Sequence, residues 1–238
     1  GRGHPAVYLS FGELTAVVGF LGMEEAIRSF SSFRLICVDE FELDDVANTL
    51  MQVLSSRRTV LPKRLVAPGP NASQLATLFE AAATAPDHDQ TLPWRFVIFP
   101  ESSRASLGEL FAQALLERDA HATPEQVAQA REKALRSPLL MLLVVDDARG
   151  GQDVDLNERI LSAGCAVQNI LSAATSMGFG SSLTSGKAMN SWVFRNGLGL
   201  SQHDHAICFI SVGTIKASKA GKTRPTTDQF VSVWTPHP

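Results

Sequence analysis

The run Leu-Leu-Met-Leu-Leu-Val-Val at 139–145 carries no polar side chain, and it constrains the fold more than any other segment. A strand that is apolar at every position, not only at alternate ones, has to be covered on both faces. Ser137-Pro138 precedes the run and Asp146-Asp147 follows it, the flanks of a buried central strand. Even counted from Ser137 it is far shorter than the roughly 20 residues a membrane-crossing helix needs.

The neighbouring segments fill in the frame. Leu75, Leu78, Phe79 and Ala82 share one helical face, with Asn71 and Ser73 as candidate N-caps. Pro86 ends that helix, because a proline disfavours helical geometry at the residue before it. Residues 94–99 (WRFVIF) read as a strand, 102–117 and 124–136 as helices, and about 156–177 as a long helix with Ile160, Gly164, Val167, Leu171 and Ala174 in register. Residues 179–185 and 206–215 are the remaining strands, and the Pro/Gly-rich 60–70 is an extended connection. Helices outnumber strands and do not alternate strictly with them, so α+β fits better than a doubly wound sheet.

The chain has 238 residues, enough for one domain or one domain with an appendage. Two unequal parts are visible, 1–50 and 51–238. The spacing of Leu43, Val46, Leu50, Val53 and Leu54 makes the junction a helix. The net charge is -3, and no basic face or arginine-rich run is evident, which excludes nucleic acid and anionic membrane as expected partners. The three cysteines, Cys37, Cys165 and Cys208, are far apart in apolar runs, so they read as buried small hydrophobes and not as disulfides or metal ligands. With no signal-peptide pattern, the expected location is cytoplasmic.

Four segments carry candidate chemistry. Ser56-Arg57-Arg58-Thr59 offers two guanidiniums and a hydroxyl to an anion, although such a doublet is more often a solvated helix end. Residues 85–94 (APDHDQTLPW) form a proline-braced loop presenting Asp87 and His88, either a plain turn or a cofactor-lining loop with a neutral imidazole. Residues 162–167 (SAGCAV) put glycine inside a helix at about 1 kcal/mol relative to alanine. Packing of a second subunit there is slightly preferred over packing within one. Gly178 and Gly180 in 177–186 (MGFGSSLTSG) make a tight helix-to-strand turn, after which Thr184 and Ser185 offer hydroxyls. This is not the GxGxxG fingerprint, since it follows a helix.

Taken together and in this order, SSRRTV, APDH…PW, SAGCAVQNIL, MGFGSSLTSG and VGTI make the chain from about 51 to 234 resemble the nitroreductase family, particularly its short YdjA-like members. The resemblance implies a central antiparallel sheet flanked by helices, an intertwined homodimer, and FMN at the subunit interface. It implies FMN contacts at Arg57, Arg58 and Thr59, at Thr84 and His88 from the second subunit, at Leu183, Thr184 and Ser185, and at Lys222 and Arg224. It associates Ala173, Ala174, Thr175, Ser176, Met177 and Gly178 with NAD(P)H. The implied reaction is a ping-pong hydride transfer from NAD(P)H through FMN to a small-molecule acceptor, a nitroaromatic, quinone or activated alkene. No protein nucleophile or general base is needed, so no catalytic residue and no metal are assigned. Thr59 keeps the hydroxyl of the family's usual serine, but Thr84 stands where close relatives carry arginine. Leu183-Thr184 stands for Trp-Arg, and Leu92 for glutamine. The two lost cations motivate an alternative, a protein that binds or sequesters flavin without turnover.

Residues 33–54 look like a Walker B strand, LICV ending at Asp39-Glu40. With 10–30 they make residues 5–50 resemble a fragment of a ZapE-like (AFG-type) ATPase. No GxxxxGK[ST] precedes them, so no ATPase activity is expected. An acidic helix start at Asp44 and Asp45 is the plainer account, and a protein-interaction module remains open.

Overall fold

The computed structural model describes residues 6–21, 23–33, 35–39, 46–151, 153–217 and 223–236. Contacts divide the chain into two units, Gly1–Ser55 and Ser56–Pro238. In the first, strand β1 (Ala6–Ser10) leads into helices α1 (Phe11–Leu21) and α2 (Met23–Phe30) and then into β2 (Leu35–Asp39). The two strands are parallel, with Ala6 opposite Leu35 and Ser10 opposite Asp39. Glu24 and Glu25 occupy the first turn of α2 and Arg28 its last, the arrangement that the helix dipole favours. Glu40, Leu43, Asp44 and Asp45 lie outside the described residues. Helix α3 (Val46–Ser56) runs through the sequence boundary at 50/51.

The second unit is built on a five-stranded sheet. Its elements are β3 (Leu65–Val66), α4 (Ala72–Ala83), β4 (Trp94–Ile98), α5 (Arg104–Arg118), α6 (Pro124–Glu132), β5 (Leu139–Asp146), α7 (Leu156–Ser176), β6 (Gly180–Thr184), α8 (Trp192–Gly197) and β7 (Asp204–Ile215). The order is β3-β7-β5-β4, with β6 also paired to β7, and every strand pairing is antiparallel.

Strand β5 is buried along its whole apolar length, as 139–145 requires. Its alternate residues serve two cores. Met141, Leu143 and Val145 join Ile210 and Val212 of β7 under α4 and α7. Leu140, Leu142 and Val144 join Phe209 under α5 and α8. Each such side chain contributes about 2 kcal/mol relative to exposure. Local chemistry sets the helix boundaries. Asn71 with Gln74, and Thr123 with Gln126, form reciprocal capping boxes at the starts of α4 and α6. Helix α7 ends at Gly178, whose φ of +81° suits glycine.

Three expectations are corrected. The buried stripe of α7 is Arg159, Ser162, Ala163, Ala166, Val167, Ile170, Leu171 and Ala174. Ile160 and Gly164 therefore face outward, because the loop carbonyls captured by Arg159 rotate that residue inward. The helix expected over 124–136 stops at Glu132 and tightens into a 3-10 turn over Lys133–Leu135. The connection 60–70 contains a 3-10 turn, Pro62–Arg64, and the short strand β3.

Candidate functional site

The segment after α3 runs along the free edge of β6. Thr59 bridges Ser181 in parallel fashion, and the Val60 amide donates to the Ser181 carbonyl at 2.9 Å. This places Arg57 and Thr59 beside Ser182 and Leu183 of β6 and Gln168 and Leu171 of α7, around a pocket of about 200 Å³. Arg57 is half-buried, whereas Arg58 is exposed and does not line the pocket. Ser182 is 2% exposed, and its hydroxyl has no hydrogen-bond partner. Ser182 stands opposite Ser211 of β7, so its side chain turns to the face of the sheet away from α7, and what Ser182 adds to the Arg57 pocket is the strand edge.

From the other end of the chain, Arg224 Nη2 donates to the Arg57 carbonyl at 2.6 Å. Lys222 lies outside the described residues.

Thr84 and His88 are elsewhere. Thr84 closes the C-terminus of α4, its hydroxyl donating to the Ala81 carbonyl at 2.8 Å. Asn169 Nδ2 of α7 donates to the same hydroxyl at 3.1 Å. His88 Nδ1 bonds Glu158 Oε2 at 3.1 Å. That bond and the charges of Asp89 and Glu158 raise the imidazole's pKa above 6.5. The neutral imidazole expected from the sequence is thus disfavoured by two carboxylates. Around it, Asp89, Gln90 and Leu92 all have positive φ. The loop is held by Asp87, whose carboxylate accepts from the Leu92 amide at 2.6 Å and the Thr91 hydroxyl at 3.2 Å. Three non-glycine residues in this region mark a strained loop. Among the described residues, no hydrogen bond joins Thr84 or His88 to Arg57, Thr59 or Leu183.

The segment 173–178 ends α7. Ala174 is fully buried, Thr175 and Ser176 donate their hydroxyls to the carbonyls of Leu171 and Ala173, and the Gly178 amide donates to Thr175. Gln168, Ser182, Glu158 and Asn169 carry no sequence signal for a site. Glutamine and asparagine on a helix read as solvent-facing, and only the strand register brings Ser182 to the pocket.

A second and larger cavity, about 690 Å³, lies on the other side of β6, where Thr184 and Ser185 meet α5, α6 and the turn at Pro62. Lys63, Arg118, Lys133, Arg136 and Lys187 line it, and no carboxylate does. The sequence has no basic run, yet folding gathers these cations from separate elements, which corrects the expectation that no basic face exists.

A family model described as "Nitroreductase family" matches residues 54–214. A Haemophilus influenzae protein, provisionally named an NAD(P)H nitroreductase, is 34% identical over 164 residues, 69% of this chain and 87% of the relative. YdjA of Escherichia coli K12, provisionally named likewise, is 31% identical over 170 residues, 71% and 90% of the two chains. In structure, a nitroreductase-like family protein from Bacillus cereus superposes with a TM-score of 0.65 at 18% identity, over 77% of this chain and 95% of the other. A nitroreductase with bound FMN from Bacteroides fragilis superposes with a TM-score of 0.56 at 16% identity, over 78% and 98%. The family match leaves residues 5–50 outside, and these comparisons lend no support to their resemblance to an ATPase.

Proposed function

The chain belongs to the nitroreductase family, and on that premise we propose that it is an FMN-dependent NAD(P)H oxidoreductase acting on small-molecule acceptors, of which nitroaromatics, quinones and activated alkenes are the candidates. The observation that carries this reading is the convergence of Arg57 and Thr59 with the edge of β6 in one pocket. Such donors fit a phosphate or ribityl chain. FMN when bound supplies a two-electron carrier that accepts hydride from NAD(P)H and passes it on. The protein's part is to bind and orient. Arg57 and Arg58 offer charge to the phosphate, Arg224 fixes the backbone at Arg57, and Leu183, Thr184 and Ser185 present the end of β6 to the ring. The segment 173–178 is the assignment for the nicotinamide nucleotide.

At about 200 Å³ the pocket is smaller than the roughly 300–1,000 Å³ that encloses a drug-sized ligand. It therefore holds part of an FMN, and a second copy of the chain completes the site, with Thr84 and His88 approaching across a homodimer interface. Supporting this, α7 leaves Leu161 exposed, and a Cβ added at Gly164 would meet nothing within 4 Å. The tail residues Phe230, Val231, Val233 and Trp234 are exposed too. An apolar surface of this kind calls for a partner. Residues 51–238 would form the flavin-binding domain. Residues 1–50 would be an extension without ATPase activity, whose deletion leaves flavin binding unchanged.

The test is a visible absorption spectrum of the purified protein, followed by anaerobic NADPH or NADH. Flavin bands that bleach support the oxidoreductase. Bands that persist support binding without turnover, the reading favoured by the cations missing at Thr84 and Thr184. A protein that takes up no FMN on reconstitution overturns both.

A further inference from the structure

We infer, on the proposed reading that His88 approaches the flavin of a second copy of the chain, that Glu158 of α7 is a positioning residue for that flavin. Its carboxylate, together with a loop braced by Asp87 and Gly150, presents the His88 imidazolium to the edge of the flavin ring that gains negative charge on reduction.

The backbone supplies the first observation. Asp89, Gln90 and Leu92 have φ of +53°, +55° and +46°, the left-handed region that residues other than glycine avoid. Residues in this state persist only where their surroundings hold them, and they gather at ligand sites. Three supports hold this loop. The Asp87 carboxylate accepts from the Leu92 amide at 2.6 Å and from the Thr91 hydroxyl at 3.2 Å. Gly150, at φ +83°, lies so close to Thr91 that a Cβ there would overlap the threonine side chain. The Gly150 loop is fixed in turn by Arg159, which donates to the carbonyls of Arg149 and Gly151. The third support is Glu158, the residue before that arginine, whose Oε2 meets His88 Nδ1 at 3.1 Å.

Stability does not account for the last contact. Both side chains are half exposed, and an exposed ion pair contributes less than left-handed residues cost. The dipole of α7 favours a carboxylate in its first turn, but gives no reason for it to reach a side chain from a separate loop.

The contact is directional. With Nδ1 turned to Glu158, the proton left to offer is on Nε2. The Asp89 carboxylate stands 3.7 Å from Nε2, outside hydrogen-bond reach, so that proton is available to a ligand. The charged groups acting on the imidazole are Glu158 from α7 and Asp89 and Asp87 from its own loop, and all three favour its charged form. A cation already in place stabilises a reduced flavin more than an oxidised one, because the negative charge on the ring develops on reduction. Arg57 and Arg58 are the cations proposed for the phosphate, which leaves His88 to the ring.

The experiment follows the His88 imidazole protons by NMR against pH in the full-length, FMN-loaded protein, first oxidised and then reduced with dithionite. The His88 pKa is expected to be higher in the reduced protein. Linkage makes the effect reciprocal, so at neutral pH Glu158→Gln and His88→Gln should each weaken reduced FMN at least about fivefold more than oxidised FMN. That difference is read as a fall in the midpoint potential of the bound flavin. In Glu158→Gln the fall should shrink as pH rises through the wild-type His88 pKa, because the imidazole is then neutral in both proteins. Glu158→Asp, which keeps the charge on a shorter arm, should recover part of the potential. An equal His88 pKa in the two redox states, an unchanged potential in Glu158→Gln, or a fall of the same size at every pH overturns the proposal and leaves the flavin reading standing. If Glu158→Gln does not fold, the comparison of His88 in the two redox states decides alone. A protein that takes up no FMN overturns the flavin reading and this inference with it.

Discussion

Arg224 and Arg57 are joined by a hydrogen bond of 2.6 Å from the guanidinium of the first to the backbone carbonyl of the second. The bond ties the polar tail beyond β7 to the strand-edge segment that begins the second unit, and it sets the position from which Arg57 faces its pocket. Replacing Arg224 by alanine removes one charge-assisted bond at an exposed site, a loss of about 1 kcal/mol. FMN affinity should fall by about fivefold, read by quenching of flavin fluorescence on reconstitution. Arg224→Lys should recover only part of it, because lysine lacks the planar fork. Unchanged affinity in Arg224→Ala would remove the tail from the flavin site.

How much of this was legible in the sequence depends on how local each cause is. The apolar run at 139–145 dictates a doubly covered strand whatever surrounds it, and β5 is that strand. The boundaries of α4 and α6 follow from Asn71/Gln74 and Thr123/Gln126, contacts three residues apart. Other features depend on partners far along the chain. Ser182 and Ser211 look like ordinary polar strand residues until pairing sets them opposite each other in β6 and β7 and buries both. Arg104 and Arg159 look like surface charges, yet they are among the most buried residues because carbonyl groups converge on them, on Arg104 from the turn after α6 and on Arg159 from the loop just before α7. Helix α8 has a local cap, the Ser191 hydroxyl accepting from the Phe194 amide, but the amides of Trp192 and Val193 are held by Glu117, which lies on another helix.

His88 should titrate above the ordinary histidine value of 6.5, chiefly because of its bond to Glu158. The folded pKa is raised, so the stabilisation is fully present below the unfolded value and is lost as pH rises through the folded one. Following the imidazole proton chemical shifts by NMR against pH gives the value directly. Glu158→Gln should move it back towards 6.5, with Asp87 and Asp89 keeping a residual upward influence. An imidazole already at or below 6.5 in the wild type would mean that the Glu158 contact is not formed in solution.

Asp204 shows the opposite sign. The guanidinium of Arg95, with help from the Ser201 amide and hydroxyl, lowers its carboxyl pKa from 3.8 to about 2. Its contribution is present above the unfolded value and is lost as pH falls from 3.8 towards 2. The carboxylate is buried but Arg95 is partly solvated, so the contribution is at most about 2 kcal/mol. Arg95→Met should therefore flatten the dependence of urea-unfolding midpoints between about pH 4 and pH 2. A slope identical to that of the wild type would show that other carboxylates carry the acid sensitivity.

Arg104 ties the cationic wall of the larger cavity to the sheet. Only 4% exposed, it donates from Nε to the Phe99 carbonyl at 2.7 Å and from Nη1 to Ala134 at 2.6 Å and Ser137 at 3.3 Å, and Nη2 reaches Pro138 at 3.1 Å. Those carbonyls close the turn that carries Lys133 and Arg136, and burial lowers the guanidinium's own pKa without neutralising it. Arg104→Met keeps most of the volume and strands the carbonyls, a loss of about 3 kcal/mol. The expected result is a lower unfolding midpoint with an unchanged denaturant slope, because the turn carrying Lys133 and Arg136 loses its anchor. Arg118→Ala, which leaves this turn intact, should unfold close to the wild-type midpoint. If Arg104→Met unfolds at the wild-type midpoint, the four carbonyls are satisfied by water, and the turn does not depend on the guanidinium.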